Sequence, residues 1–385
     1  MKVDVMTTAY EARPQRVVSG PGAAGRVLPE ELARLGVSRV MLVAAEAELE
    51  LARRITIGLD IVATFTGVRP HVPVEVAEAA RALARDSGAE VLLSVGGGST
   101  TGTAKAVALT ERLPIVAVPT TYAGSEATDL WGLTDENRKT NGTDPAVLPR
   151  TVVYDPELTA TMPSHLTISS GLNALAHCVD SLWAPSAGPP STAFAVEGIR
   201  LLGQGLPGVL ADSTDLQARQ RSQEGTYLAA AAFASAGSGM HHKICHVLGG
   251  AYNLEHAAMH AVVLPHVLGF NGPAAPEAAD RVAIALDGAG FGPDGGTNGL
   301  SGSDEPEQAA AANALATLQA LYNSLGPSTS LGELGLRVEQ VPEAARLALE
   351  TMPPSNPRPV TEEDLRALIG RAQAGERAVV VPLTH

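Results

Sequence analysis

The sequence predicts two unlike halves, a parallel α/β domain followed by an all-helical domain. Between Ser38 and Pro119, four short runs rich in Val, Ile and Leu alternate with stretches of helical apolar spacing. That alternation is the pattern of a parallel sheet covered on both faces. After one more such run, Thr151 to Asp155, the β signal stops, and long Ala- and Leu-rich segments of helical period take over. The boundary falls in Pro156 to Ser164, dividing the chain into residues 1–160 and 161–385.

The first twenty residues read as one or two short strands, broken by Gly20-Pro21-Gly22 before a helix from Ala24 to Leu35. Ser38–Ala44 is a buried strand, and an acidic helix follows from Glu46. Ile61–Phe65 is the second strand, Val74–Arg85 a helix, Glu90–Val95 the third strand and Pro114–Pro119 the fourth. Beyond the boundary, helices are predicted at Ser170–Trp183, Ala193–Leu202, Leu216–Ala234, Ala309–Leu325 and Glu362–Ala372. Residues Asp287 to Glu307 are rich in Gly, Ser and Asp and read as a surface loop.

Composition narrows the function classes. Hydrophobic residues at 45% against 18% charged fit a well-buried globular chain and not a disordered one. A net charge of −14 without a basic stripe argues against nucleic acid and anionic membranes. No apolar run approaches a membrane span and the first residues lack a signal peptide's core, so the cytoplasm is the expected compartment. Two cysteines, Cys178 and Cys245, make no disulfide framework and read as small apolar packing residues.

Gly96-Gly97-Gly98-Ser99 follows the third strand and opens a helix. Glycines admit close backbone approach, and free amides at a helix start favour a phosphate. The strand, turn and helix order is what dinucleotide sites use. The fourth strand runs into Pro119-Thr120-Thr121-Tyr122-Ala123-Gly124-Ser125, whose hydroxyls suit a ribose or a nicotinamide amide. Only Ala45 and Glu46 follow the first strand, and no obvious carboxylate stands where one would reject a 2′-phosphate. The choice between NADH and NADPH stays open at this stage.

The second site candidate is Met240-His241-His242-Lys243-Ile244-Cys245-His246, followed by His256. Six of the ten histidines fall between His241 and His266. Burying imidazoles is costly unless each finds a partner or ligand, so such clustering points to a site. His242 and His246 are four apart and share a helix face. On the predicted helix Ser170–Trp183, Asn173, His177 and Asp180 lie together on a face beside the apolar stripe of Leu172, Leu175, Ala176, Val179 and Leu182. The spacing is one that metal sites use, but Asn is a neutral and poor ligand.

These segments resemble the iron-containing (group III) alcohol dehydrogenase superfamily and, within it, the maleylacetate reductases. The resemblance runs over nearly the whole chain: the Gly96–Lys105 and Pro119–Glu126 segments, Gly171-Leu172-Asn173-Ala174-Leu175-Ala176-His177, the His241–His256 stretch and Asn356-Pro357-Arg358-Pro359. It implies a Rossmann-like N-terminal domain and an all-α C-terminal domain, the dehydroquinate synthase-like fold, as a homodimer with NADH or NADPH between the two domains. Metal-dependent members hold iron or zinc with an Asp and three His, and the corresponding positions here read Asn173, His177, His242 and His256. They also carry an acidic residue where this chain has Gly102. The resemblance therefore implies no metal and a small dicarboxylate substrate. Catalytic candidates are His242, His246, His256, His177, Asn173 and Lys243, with His242 or His246 as proton donor. Cofactor candidates are Gly96, Gly97, Gly98, Ser99, Thr120, Thr121, Ser125 and Lys139, and Lys139 or Arg138 can also serve the substrate's charge. The competing expectations are a metal-dependent alcohol or polyol dehydrogenase, and a nucleotide-binding regulatory module with no catalysis.

Overall fold

Alternation of side chains across pleated strands decides how the first half is layered. The computed structural model of the chain describes residues 14–135, 138–292, 306–328 and 330–383. Six parallel strands form one sheet: β1 (Arg16–Ser19), β2 (Arg39–Val43), β3 (Asp60–Phe65), β4 (Val91–Gly96), β5 (Ile115–Pro119) and, after a hairpin, β8 (Thr151–Tyr154). The hairpin, β6 (Leu130–Asp135) and β7 (Arg138–Thr143), is antiparallel and separate. Val40, Leu42, Leu93, Val95, Val116 and Val118 pack on α1 (Ala23–Leu35) and α2 (Leu49–Ile55). Their neighbours Met41, Val43, Leu92 and Ile115 pack on the other side, against α3 (Val74–Ser87) and α4 (Gly98–Glu111). Each strand is buried on both faces, which is why these runs are continuously apolar.

The strand order is β3-β2-β4-β5-β8-β1. From β2 the chain steps outward to β3, then crosses back to β4 on the other side. This reversal makes a crevice at the carboxyl ends of β2 and β4, the place where open α/β sheets bind ligands. Both the Gly96 turn and the segment after β2 lie on that edge.

The second half is helical: α5 (Ser164–Ser181), α6 (Pro189–Ala211), α7 (Leu216–Ala236), α8 (Met240–Tyr252), α9 (His256–Asn271), α10 (Pro276–Leu286), α11 (Pro306–Leu325), α12 (Val341–Leu349) and α13 (Glu362–Ala374). From Met259 to Asn271, α9 is buried on every side, so it is the core helix of this half. Arg219 of α7 is fully buried and donates to the carbonyls of Thr159 and Ala160, fastening the helical half to the segment that leaves the sheet. No helix among the described residues is long and apolar enough to cross a membrane.

Several boundaries differ from the sequence reading for identifiable reasons. α5 starts six residues early, directly after Pro163, whose fixed φ suits a helix start. α6 runs to Ala211 through Gly203, Gly205 and Pro207, which look like breakers in sequence. Packing overrides propensity there: a Cβ on Gly205 would lie 2.8 Å from the Ala218 carbonyl, so glycine is what lets α6 and α7 meet. The hairpin, α9, α10 and α12 have no counterpart among the elements predicted from sequence; α9 is buried all round and has no amphipathic period, whereas α10 and α12 do carry an apolar face. Much of the expected loop at 287–307 lies outside the described residues.

Candidate active site

The glycine turn is built by steric demand. Gly96 has φ +151°, and a Cβ there would sit 2.7 Å from a Glu48 carboxylate oxygen. A Cβ on Gly97 would come within 3.1 Å of Thr121, and one on Gly98 within 3.1 Å of Ala123. With Gly97 as N-cap, no side chain caps α4. At α1, by contrast, the amides of Gly22 and Ala24 donate to the Asp155 carboxylate at 3.1 Å. The start of α4, with Ser99 in its first turn, thus keeps amides open to an anion and fits a cofactor's pyrophosphate.

The loop after β5 is tied down from beneath. Lys105 of α4 is buried, and its ammonium donates to the carbonyls of Ser125 (2.5 Å), Thr128 (2.8 Å) and Leu130 (2.8 Å) and to Thr128 Oγ1 (3.0 Å). Burial pushes its pKa down to about 7 against the pull of Glu126. Glu126, buried as well, has its carboxyl pushed up by burial and accepts the Tyr154 hydroxyl at 2.7 Å. Thr120, Thr121 and Ser125 are therefore held on a rigid loop. Lys139 lies in β7 with its backbone opposite Thr134, and its side chain is outside the described residues.

This loop leads to the histidines. A Cβ on Gly124 would lie 2.9 Å from the Ala230 Cβ on α7. Phe233, about one turn further along α7, stacks on His177 with centroids 4.9 Å apart and tilts over His242 at 4.4 Å. His177 of α5 and His242 of α8 stack on each other at 4.9 Å, and His246 follows His242 at 6.1 Å. From α9, His260 lies 5.0 Å from His242 and 4.4 Å from His256. His242 and Asn173 are buried, His177 and Lys243 half-buried, and His246 and His256 exposed. All six catalytic candidates thus belong to α5, α8 and the start of α9, graded from core to surface.

Asp180, one turn beyond His177, organises the cluster. Fully buried, it accepts the amides of Gly239 (2.8 Å), His241 (3.2 Å) and His242 (3.4 Å), the Trp183 indole at 3.1 Å and His242 Nδ1 at 2.8 Å. It caps α8 and fixes the His242 ring with Nε2 turned away from it. That Nε2, His177 Nδ1 and Asn173 Oδ1 are buried and lack hydrogen-bond partners. Burial, aided by neighbouring imidazoles, holds the pKa values of His177 and His242 well below the ordinary histidine value.

The donor set does not fit an iron site of the aspartate-and-three-histidine kind. Asn173 is neutral, and the buried carboxylate Asp180 is spent on α8 and His242. A second group, His241, Cys245 and His260, brings its donor atoms within 4.8 Å of one another. There His241 Nε2 and His260 Nδ1 share a hydrogen bond of 3.0 Å, and the far nitrogens of both rings are unpartnered. Metal-bound imidazoles ordinarily rest that far nitrogen on a carboxylate or carbonyl, so this triad is better described as a hydrogen-bonded pair beside a buried thiol.

Sequence reasoning gave no role to Asp180, His260, Phe233 or Glu48. Asp180 had a signal, since it sits at helical spacing from His177, and so did His260, four residues after His256. No obvious carboxylate follows the first strand in the sequence, but the fold brings one to the same edge of the sheet. The 3₁₀ turn Glu46–Glu48 brings Glu48 back over the sheet edge, where it accepts the Thr120 hydroxyl at 2.9 Å.

Known proteins match over nearly the whole chain. The model for the Fe-containing alcohol dehydrogenase family, C-terminal, covers residues 167–373, and that for iron-containing alcohol dehydrogenase covers 14–156. The maleylacetate reductase of Sphingobium indicum is 40% identical over 96% of this chain and 98% of its own. An iron-containing alcohol dehydrogenase structure from Corynebacterium glutamicum superposes with a TM-score of 0.88 at 46% identity, covering 97% of this chain and 98% of that one. The maleylacetate reductase structure from Agrobacterium tumefaciens gives 0.86 at 34% identity over 97% and 100%. With the nucleotide-type turn and the histidine cluster both in place, the chain belongs to the iron-containing alcohol dehydrogenase family, in company with maleylacetate reductases.

Proposed function

We propose that this chain reduces the carbon–carbon double bond of maleylacetate, 4-oxohex-2-enedioate, to give 3-oxoadipate, with NADH or NADPH and without a metal. In this reading residues 1–160 hold the nucleotide, residues 161–385 hold the substrate, and the enzyme works as a cytoplasmic homodimer. The observation that carries it is the wall of unpartnered buried polar atoms on Asn173, His177 and His242. Such atoms call for a polar ligand, and a neutral Asn173 in place of a carboxylate makes them a weaker cation site, while a proton on His242 Nε2 would let that ring donate to an oxyanion. The full-length likeness to maleylacetate reductases supports the same reading.

When bound, the nicotinamide supplies a hydride to the alkene carbon remote from the ketone. The chain's own work is to stabilise the ketone oxygen as it becomes an enolate, and to protonate the carbon beside it. Hydride plus proton completes the two-electron reduction. His242 is the better placed of the two proton-donor candidates. Its Nδ1–H stays with Asp180, while Nε2 is buried without a partner and is the nitrogen that would carry the proton to be given. Asp180 and a dianionic substrate both favour the imidazolium, against the burial that lowers its pKa. His246, His256 and Lys243, nearer the surface, are assigned to the carboxylates, and His177 and Asn173 to the enolate side.

The test follows NADH loss with maleylacetate and with a panel of aldehydes, and NAD+ reduction with the corresponding alcohols, each before and after chelation. We expect turnover of maleylacetate alone, insensitive to the chelator. Faster reaction with an alcohol or aldehyde, abolished by chelation together with release of stoichiometric iron or zinc, overturns the proposal in favour of a metal-dependent dehydrogenase.

A further inference from the structure

We propose that Glu48 is the residue that reads the cofactor's adenosine ribose and makes this enzyme prefer NADH to NADPH. The inference rests on the Gly96–Ser99 turn being a dinucleotide site, and it settles a choice that the reading above leaves open.

The placement is specific. β2 ends at Val43, and the 3₁₀ turn Glu46–Glu48 then folds back across the carboxyl edge of the sheet. One Glu48 oxygen accepts the Thr120 hydroxyl at 2.9 Å, from the end of β5. The other lies 2.7 Å from where a Cβ on Gly96 would stand, at the end of β4. The carboxylate therefore lies over the first glycine of the turn, in the crevice where the strand order reverses. The donor that holds it is a neutral hydroxyl, so its charge is left facing the crevice.

The open amides of α4 begin just beyond, at Gly98. A pyrophosphate seated on them puts the adjoining ribose next to Gly96. A carboxylate accepts hydrogen bonds from a vicinal diol, which is the ribose of NADH. The 2′-phosphate of NADPH replaces one donor hydroxyl with a dianion that carries only acceptors, so it meets repulsion in place of a bond. Absence of a carboxylate at Ala45 does not matter, because the fold supplies one three residues later.

The experiment titrates the full-length enzyme with NADH and with NADPH, in the absence of maleylacetate, following protein fluorescence. The wild type is expected to bind NADH at least about tenfold more tightly than NADPH, the scale of one charge-assisted hydrogen bond. Glu48→Gln should erase most of that ratio and Glu48→Arg should reverse it. A wild-type preference below about tenfold, or one that survives Glu48→Gln in a folded variant, overturns the inference. The wild-type ratio needs no variant, so a substitution that fails to fold leaves the test intact. Because no substrate is present, failure on maleylacetate would sink the proposed reaction and leave this result standing.

Discussion

The glycine turn and the histidine cluster are both polar sites, but they are made in opposite ways. The turn uses backbone: three consecutive glycines at a strand–helix junction, amides left uncapped, and a loop fixed by Lys105. Its chemistry is set by what is missing, namely Cβ atoms and a capping side chain. The cluster uses side chains from α5, α7, α8 and α9 that meet only in the folded chain, and its chemistry is set by burial and by one carboxylate, Asp180. A site of the first kind tolerates no added atoms, and one of the second kind tolerates no lost partner. Substitutions should therefore fail differently at the two places.

The largest effect is expected at the cluster. His242→Ala removes the proposed proton donor, and Asp180→Asn keeps the shape of the carboxylate while removing its charge and its hold on the His242 tautomer. Each should lower turnover on the order of a hundredfold, about 2.7 kcal/mol of barrier, with NADH affinity nearly unchanged. His246→Ala should also slow turnover, by less, because His246 is exposed whereas His242 is buried and held by Asp180. Single-turnover kinetics alongside NADH titration checks this. Wild-type rates in His242→Ala would remove the cluster from the chemistry altogether.

Gly96→Ala sharpens the comparison from the other side. The residue holds φ +151°, and the added Cβ would press on both Thr100 and Glu48. Backbone strain of this type costs about 1–3 kcal/mol. Either the turn shifts or Glu48 leaves, and both spoil nucleotide binding. NADH affinity should fall roughly tenfold, and the rate at saturating NADH should fall far less than in His242→Ala. Equal losses of affinity and of saturated rate would show that the two sites are not separable.

The same contrast explains what was legible in the sequence. Gly96–Ser99 could be read because the turn is local: its neighbours in space, the end of β4 and the start of α4, are its neighbours in the chain. The alternation of strands and helices was local too, and so the α/β half came out nearly element by element. The cluster was legible as a count of histidines and as helical spacing, but not as roles. Nothing local says that His242 is buried and His246, one turn on, is exposed, since that depends on where α9 and α7 pack. Asp180 looked like one polar residue on a helix face until α8 came to rest on it. Glu48 was hidden for the same reason: its partners, Gly96 and Thr120, are 48 and 72 residues away, joined only by the crossing at the sheet's switch point. α9 escaped notice because a helix buried all round has no amphipathic period to find.

The smallest effect per group is also the one that separates the halves most cleanly, the response to acid. In the helical half, burial holds the pKa values of His241 and His260 well below the ordinary value, with neighbouring imidazoles acting the same way. His266 is pushed down to about 4 by burial and by Arg371. These rings stay neutral in the folded chain and take up protons near pH 6.5 when it unfolds. Their contribution to stability is therefore complete above about pH 6.5 and is lost as the pH falls, by about 1.4 kcal/mol per pH unit for each ring that stays neutral. For His266 the loss ends near pH 4. The sheet half has no counterpart among the described residues, where its histidine, His71, is exposed. Urea unfolding at successive pH values should show a falling stability below pH 6.5, and His260→Asn should make the slope shallower. Hydrogen exchange in mild acid should release α8 and α9 before β4 and β5. If the sheet lost protection first, the buried imidazoles would not be what limits this fold in acid.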